Sequence, residues 1–88
     1  MKITTDEKFL STAIDLVADY TDEHLDKSDI KPEYKVFVVW YCKTLRNFKA
    51  LLSTTLFDGM YYEVTYNGDK DEIYLDAYKK FENRKITL

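Results

Sequence analysis

Phe9, Leu10, Ala13, Ile14, Val17 and Tyr20 recur at the three- and four-residue steps of one helix face, while Asp15, Asp19, Asp22, Glu23 and Asp26 take the opposite face. Thr4 and Glu7 stand at capping-box spacing just before this pattern, so the sequence predicts an acidic amphipathic helix ending near residue 24 or 25. Residues 26–32 read as a linker closed by Pro32, which keeps Lys31 out of helical geometry. Residues 36–41 are β-branched and aromatic throughout and predict a strand buried on both faces. Leu45, Arg46 and Asn47 form a turn, 48–55 a second, antiparallel strand, and Asp58-Gly59 a further break. Residues 60–66 give a third strand with partial alternation.

Asn67-Gly68 is a hairpin signal when strands flank it. The residues that follow read better as a helix. Ile73, Tyr74, Ala77, Tyr78 and Phe81 fall on one face, with Glu72, Asp76, Lys79, Lys80 and Asn83 on the other. Asp69 or Asp71 can cap this segment, and Asp76 and Lys80 are a favourable helical pair. The expectation is a second helix over about 70–84, with a fourth strand over 72–78 as the alternative. The fold class that results is α+β, ordered α-β-β-β-α. A three-stranded antiparallel sheet carries two helices packed on one face, in a single small domain over 1–88.

Composition narrows the function. Eighty-eight residues with 45% hydrophobic and 16% aromatic content are too apolar for disorder and too few for a second domain. One cysteine excludes a disulfide framework and a thiolate zinc site. The opening residues carry acids where a signal peptide needs an apolar stretch, and the longest apolar run, 36–42, is far too short for a membrane helix. With a lone cysteine, these features lead to a cytoplasmic expectation, the host bacterial cytoplasm if the protein is phage-encoded.

Charge is unevenly distributed within the net of -3. Residues 1–33 hold nine acids against four bases, and 58–88 hold seven against five. Residues 34–57 hold no acid and four bases, Lys35, Lys43, Arg46 and Lys49. The first two strands are therefore a basic hairpin in an acidic protein. Alternation sorts the first strand into an uncharged face of Val36, Val38, Trp40 and Cys42, assigned to the core, and a second face of Lys35, Phe37, Val39, Tyr41 and Lys43. Two helices cover one side of such a sheet. The other side is expected to show Phe37, Val39, Tyr41, Leu51 and Tyr61, rimmed by Lys35, Lys43, Arg46 and Lys49. An exposed apolar patch of this kind has a partner. A second copy of the chain, giving a homodimer, is the first candidate. A host protein and a nucleotide-like or nucleic-acid ligand on an aromatic, basic platform are the others.

Catalytic chemistry finds no support in the residue types. The single histidine, His24, lies among Asp22, Glu23 and Asp26, but Glu23 and His24 are neighbours and point about 100 degrees apart on a helix. A solvated helix end explains them better than a metal site. Cys42 reads as core filler, and two scattered glycines cannot make a phosphate loop. No enzymatic activity, metal or cofactor is expected.

The stretch from Val38-Val39-Trp40-Tyr41-Cys42-Lys43 through Asp58-Gly59-Met60-Tyr61-Tyr62-Glu63 to Tyr74-Leu75-Asp76-Ala77-Tyr78-Lys79-Lys80-Phe81 resembles an uncharacterised family of small phage and prophage proteins from Gram-positive bacteria. The likeness covers about residues 34–84 and, more loosely, the first helix. It implies no catalytic residues. It implies a context in which small accessory proteins act by binding a host factor or a host defence component.

Overall fold

The computed structural model describes residues 2–25 and 33–88. The linker expected over 26–32 lies outside them. One helix, α1 (Asp6–His24), precedes four strands, β1 (Val36–Thr44), β2 (Asn47–Thr54), β3 (Met60–Asn67) and β4 (Glu72–Lys79). The strands form one antiparallel sheet in chain order β1-β2-β3-β4. This corrects the expected α-β-β-β-α fold: the segment read as a second helix is the fourth strand, and one helix covers one face of the sheet.

The reason lies in the partners that β3 needs. Along β4 the side chains of Ile73, Leu75 and Ala77 fall opposite Tyr66, Val64 and Tyr62, so they extend the helix-side layer by one strand. Helical spacing and strand alternation both fit 72–79, and pairing with an otherwise bare β3 edge decides between them. The loop helps. Asn67 Oδ1 accepts the N–H groups of Asp69 and Lys70 at 3.0 and 3.3 Å, and Asp71 takes the left-handed conformation with φ 52 that delivers the chain into β4. Asp76 and Lys80 make no helical pair; the Lys80 ammonium sits 5.8 Å from the Tyr61 ring centre.

The helix begins one residue later than the capping-box spacing implied. Thr5 is the cap, and its hydroxyl accepts the Lys8 N–H at 3.1 Å. Phe9, Ala13, Val17 and Thr21 point into the sheet at four-residue steps. They meet Phe48, Ala50 and Leu52 from β2 and Tyr62, Val64 and Tyr66 from β3, with Phe9 stacked on Phe48 at 5.0 Å. The short segment before the helix is tied down too. Ile3 is buried and its N–H donates to the Tyr66 hydroxyl at 3.1 Å; that hydroxyl donates to Asp71 Oδ1 at 2.6 Å.

The first strand departs from simple alternation. Val38 pairs with Leu52, yet Trp40 pairs with the adjacent residue Leu51, so Val39 is an extra residue in a β-bulge. Before the bulge, Val36 and Val38 face the helix as the pattern implies. After it the parity reverses. Tyr41 and Lys43 lie opposite Ala50 and Phe48 on the helix side, while Trp40 and Cys42 join Leu51 and Lys49 on the outer side. Trp40 and Cys42, assigned to the core by the sequence, are therefore exposed on the outer face, and Tyr41, assigned to the outer face, is not on it.

Candidate functional site

With α1 on one side, the sheet's outer face has no covering element among the described residues. Pairing orders it in rows. Phe37, Ser53, Tyr61 and Tyr78 cross the four strands in one row; Trp40, Leu51, Glu63 and Asp76 form the next; Cys42, Lys49, Thr65 and Tyr74 the third. Phe37 and Trp40 are each 45% exposed, and Tyr74 and Tyr78 each 52%. Each row thus carries at least one aromatic ring that is about half in water. A shallow hollow of about 330 Å³ opens at the Phe37 end, lined by Ser53, Phe57, Gly59, Tyr61 and Lys80 among others.

The expected site residues divide between places. Phe37, Lys49, Leu51 and Tyr61 meet on the outer face, and Lys35 shares it by alternation just before β1. Val39 occupies the bulge. Tyr41 and Lys43 lie on the helix side, the Lys43 ammonium 5.5 Å from the Phe48 ring centre. Arg46 sits in the β1–β2 turn and pairs with Asp69 at 2.6 Å. The four bases of the hairpin do not converge. Lys49 is answered by Glu63 on the next strand at 3.4 Å. Trp40, Cys42, Tyr74 and Tyr78 are the outer-face residues that sequence reasoning missed. The two-residue overlap of Trp40 and Tyr41 with a possible parity change carried no signal of its own, whereas Tyr74 and Tyr78 were visible as alternating aromatics in the strand alternative.

The outer face is polar at its margins in a defined way. Lys35 and Lys49 are its charges on the β1–β2 half. Glu63, Glu72 and Asp76 face outward from β3 and β4, with Lys80 beyond the end of β4. The Tyr74 hydroxyl donates to the Glu72 carboxylate, and this bond pushes the Tyr74 phenol up from its ordinary pKa.

A second concavity lies where the helix ends. A cleft of about 260 Å³ is lined by Tyr20, Thr21, His24, Leu25, Asp58, Met60 and Tyr62. Its polar groups serve the fold. His24 Nδ1 is 2.8 Å from the Tyr20 carbonyl, the His24 ring stacks on Tyr20 at 4.1 Å, and Asp58 Oδ1 accepts the Met60 N–H at 3.0 Å. The Thr21 hydroxyl donates to the Val17 carbonyl at 2.8 Å. Among the described residues no group of three or more histidine, cysteine or acidic side chains is placed to hold a metal ion. No helix among them is long and apolar enough to cross a membrane.

The class defined here is a two-layer α+β domain, one helix over a four-stranded meander, with an aromatic-rich sheet face left open. Residues 10–88 match the Family of unknown function (DUF6275), and the chain belongs to that family. Comparison with curated proteins and with solved structures gave no match.

Proposed function

We propose that the protein is a non-enzymatic binding protein that acts by protein–protein contact through the outer face of its sheet. The observation that carries this reading is the set of half-exposed aromatic rings on the two edge strands of one face, Phe37 and Trp40 on β1 and Tyr74 and Tyr78 on β4, framed by charged residues. Aromatic side chains with polar rims are the chemistry of protein interfaces, where rings provide contact area at low entropic cost. A platform for nucleotides gains less support. Its bases are dispersed, Arg46 and Lys49 already face Asp69 and Glu63, and Lys43 lies over a core ring. In the phage context implied by the sequence resemblance, the protein works in the cytoplasm of a bacterial host as an accessory factor that engages a host component.

The test is affinity purification of the tagged protein from producing bacterial cells, beside a Trp40→Asp variant. Trp40 is half exposed, so the variant keeps its fold, which far-UV circular dichroism checks. Co-purifying proteins present with the wild type and lost from the variant support the reading. An identical set from both would sink it.

A further inference from the structure

We infer that two copies of this chain join edge to edge, β4 against β4, about a two-fold axis perpendicular to the sheet at Tyr78, and that residues 80–84 of each copy continue β4 along the edge of its partner. The outer face stays open in this pair, so the inference goes beyond the reading given above and does not depend on it.

The β4 edge is built to accept a strand. Along an antiparallel strand the N–H and C=O of one residue point to the same side, and the side alternates from residue to residue. The Lys80 N–H donates to the Gly59 carbonyl at 2.8 Å, and the β3–β4 register runs without a shift. The even-numbered residues of β4 therefore spend their backbone groups on β3, while Ile73, Leu75, Ala77 and Lys79 turn theirs outward. β4 is regular, whereas the other edge strand, β1, is interrupted at Val39. The helix packs over β1, β2 and β3 and leaves β4 at the margin of its cover. Beyond β4, residues 80–88 carry no helix or strand and are exposed throughout, Phe81 to 99%. Lys80 reaches Tyr61 on the outer face, and Arg84 pairs with Glu82 at 3.1 Å, so even-numbered side chains share one side as they do in an extended chain. This segment has a strand's alternation and lacks, among the described residues, a neighbouring strand.

Charge selects a second copy as that neighbour. Along the outer side the edge reads Glu72, Tyr74, Asp76, Tyr78, Lys80, Glu82, Arg84. The two acids of β4 precede Tyr78, and two bases follow it at the same separations. An antiparallel copy centred on Tyr78 therefore sets Asp76 opposite the partner's Lys80 and Glu72 opposite the partner's Arg84, each twice. Tyr78 meets the partner's Tyr78, and on the helix side Leu75 meets the partner's Phe81. Other registers lose this match. Centring on Ala77 sets Glu72 opposite the partner's Glu82, and centring on Lys79 sets Asp76 opposite it. Centring on Asp76 or Lys80 sets that charge against its own copy, and centring on Leu75 or Phe81 leaves fewer opposite pairs. Opposite charges directly across two strands stabilise the pairing and like charges oppose it, so the sequence of the edge fixes both partner and register. The backbone adds its share. The odd-numbered residues form hydrogen-bonded pairs, roughly a dozen main-chain bonds in all, the number a standard interface carries. The even-numbered pairs are the closer kind, with Cα atoms about 4.5 Å apart, which brings the charges and the two Tyr78 rings together. Adding a strand to a free edge is an established mode of recognition, and a two-fold axis closes it at two copies.

Sedimentation equilibrium, charge exchange and a disulfide trap test the inference. The wild type sediments as a dimer at tens of micromolar. Asp76→Lys and Lys80→Asp, both at exposed positions, each replace two attractions by two repulsions and raise the dimer dissociation constant about tenfold or more. Combined in one chain they restore the attractions with the signs exchanged, and the dimer returns. In a Cys42→Ser background, which removes the chain's one cysteine, Tyr78→Cys brings two thiols within disulfide reach across the axis and oxidises to a covalent dimer. Tyr74→Cys, four residues from the axis, stays unlinked. Far-UV circular dichroism checks that each variant keeps the wild-type fold. A wild type that is monomeric at about 100 micromolar overturns the inference. So does a doubly exchanged chain that stays monomeric, a Tyr78→Cys chain that forms no disulfide, or oxidation that links Tyr74→Cys as readily. None of these outcomes bears on the outer-face reading, which fails only if Trp40→Asp retains every captured protein.

Discussion

At Gly68 the β3–β4 loop passes so close to the β1–β2 turn that an added Cβ would lie against the carbonyl of Arg46. The Gly68 N–H uses that approach to donate to Asn47 Oδ1 at 2.9 Å, which joins the two hairpins at one end of the sheet. Gly68→Ala is expected to cost about 1–3 kcal/mol, the range of overpacked sites, in a urea titration. A change within ±0.3 kcal/mol would show that the turn yields freely. Tyr34 holds a second local link. Its hydroxyl donates to Asp22 Oδ1 at 2.6 Å, with the Ala18 carbonyl 3.1 Å away, and so fastens the approach to β1 onto the helix. Burial, then the Asp22 bond and charge, push its phenol from 10.0 up to about 12. The folded state therefore keeps a proton that the unfolded chain releases above pH 10. The stabilisation is fully present below pH 10 and is lost as pH rises from 10 toward 12. Stability measured by denaturant should fall across that window, and Tyr34→Phe should flatten the fall. An unchanged slope in the variant would remove Tyr34 as its source. Asp71 acts at the acid end, where the Tyr66 hydroxyl holds its carboxyl below the ordinary range.

The bulge in β1 sets what single substitutions in the strands do. Phe9 on the helix is fully buried against Phe48, and Phe9→Ala should cost about 3–5 kcal/mol, as for other buried aromatics. Trp40→Ala, which a core position would place in the same range, should cost under about 1 kcal/mol in the isolated chain at low concentration, because the ring is half in water. Equal losses for the two in thermal or denaturant unfolding would contradict the facing described for β1. The comparison marks how far the sequence can be read. The helix and the existence of the first three strands were legible because the apolar period changes from 3.6 to 2 at residues 26–35 and because Asp58-Gly59 punctuates the chain; the burial of β1 on both faces was misread, since β1 is an edge strand and mostly exposed. The inward faces of β2 and β3 were legible for the same reason. The end of the chain was not, because 72–79 satisfies both periods, and the helical spacing was preferred over the Asn67-Gly68 hairpin signal that points to pairing with β3. Two of the five apolar residues expected on the candidate face, Val39 and Tyr41, were misplaced because of one residue. Strict alternation placed Val39 and Tyr41 outside with Phe37, and only cross-strand pairing with Leu51 and Leu52 reveals that Val39 is the extra residue.

As a whole the molecule is a slab, 18 Å through its thinnest axis and 45 by 40 Å across. A helix layer and a sheet layer give it one closed side and one open side, and the open side holds the half-exposed Phe37, Trp40, Tyr74 and Tyr78 on one plane. Small domains have little stability to spare, and a plane of rings in water returns less to the fold than the same rings covered. The free edges of the sheet are β1 and β4, and they differ. β4 is regular, whereas β1 carries the bulge, which bends an edge away from a continuous ladder of hydrogen bonds. Ribbons grow when the last strand of one molecule joins the first strand of the next, and every such junction here would need the bulged edge. A regular edge can meet only another β4, and that joint closes after two. One surplus valine therefore blunts the β1 edge against strand addition and works against head-to-tail growth of the sheet.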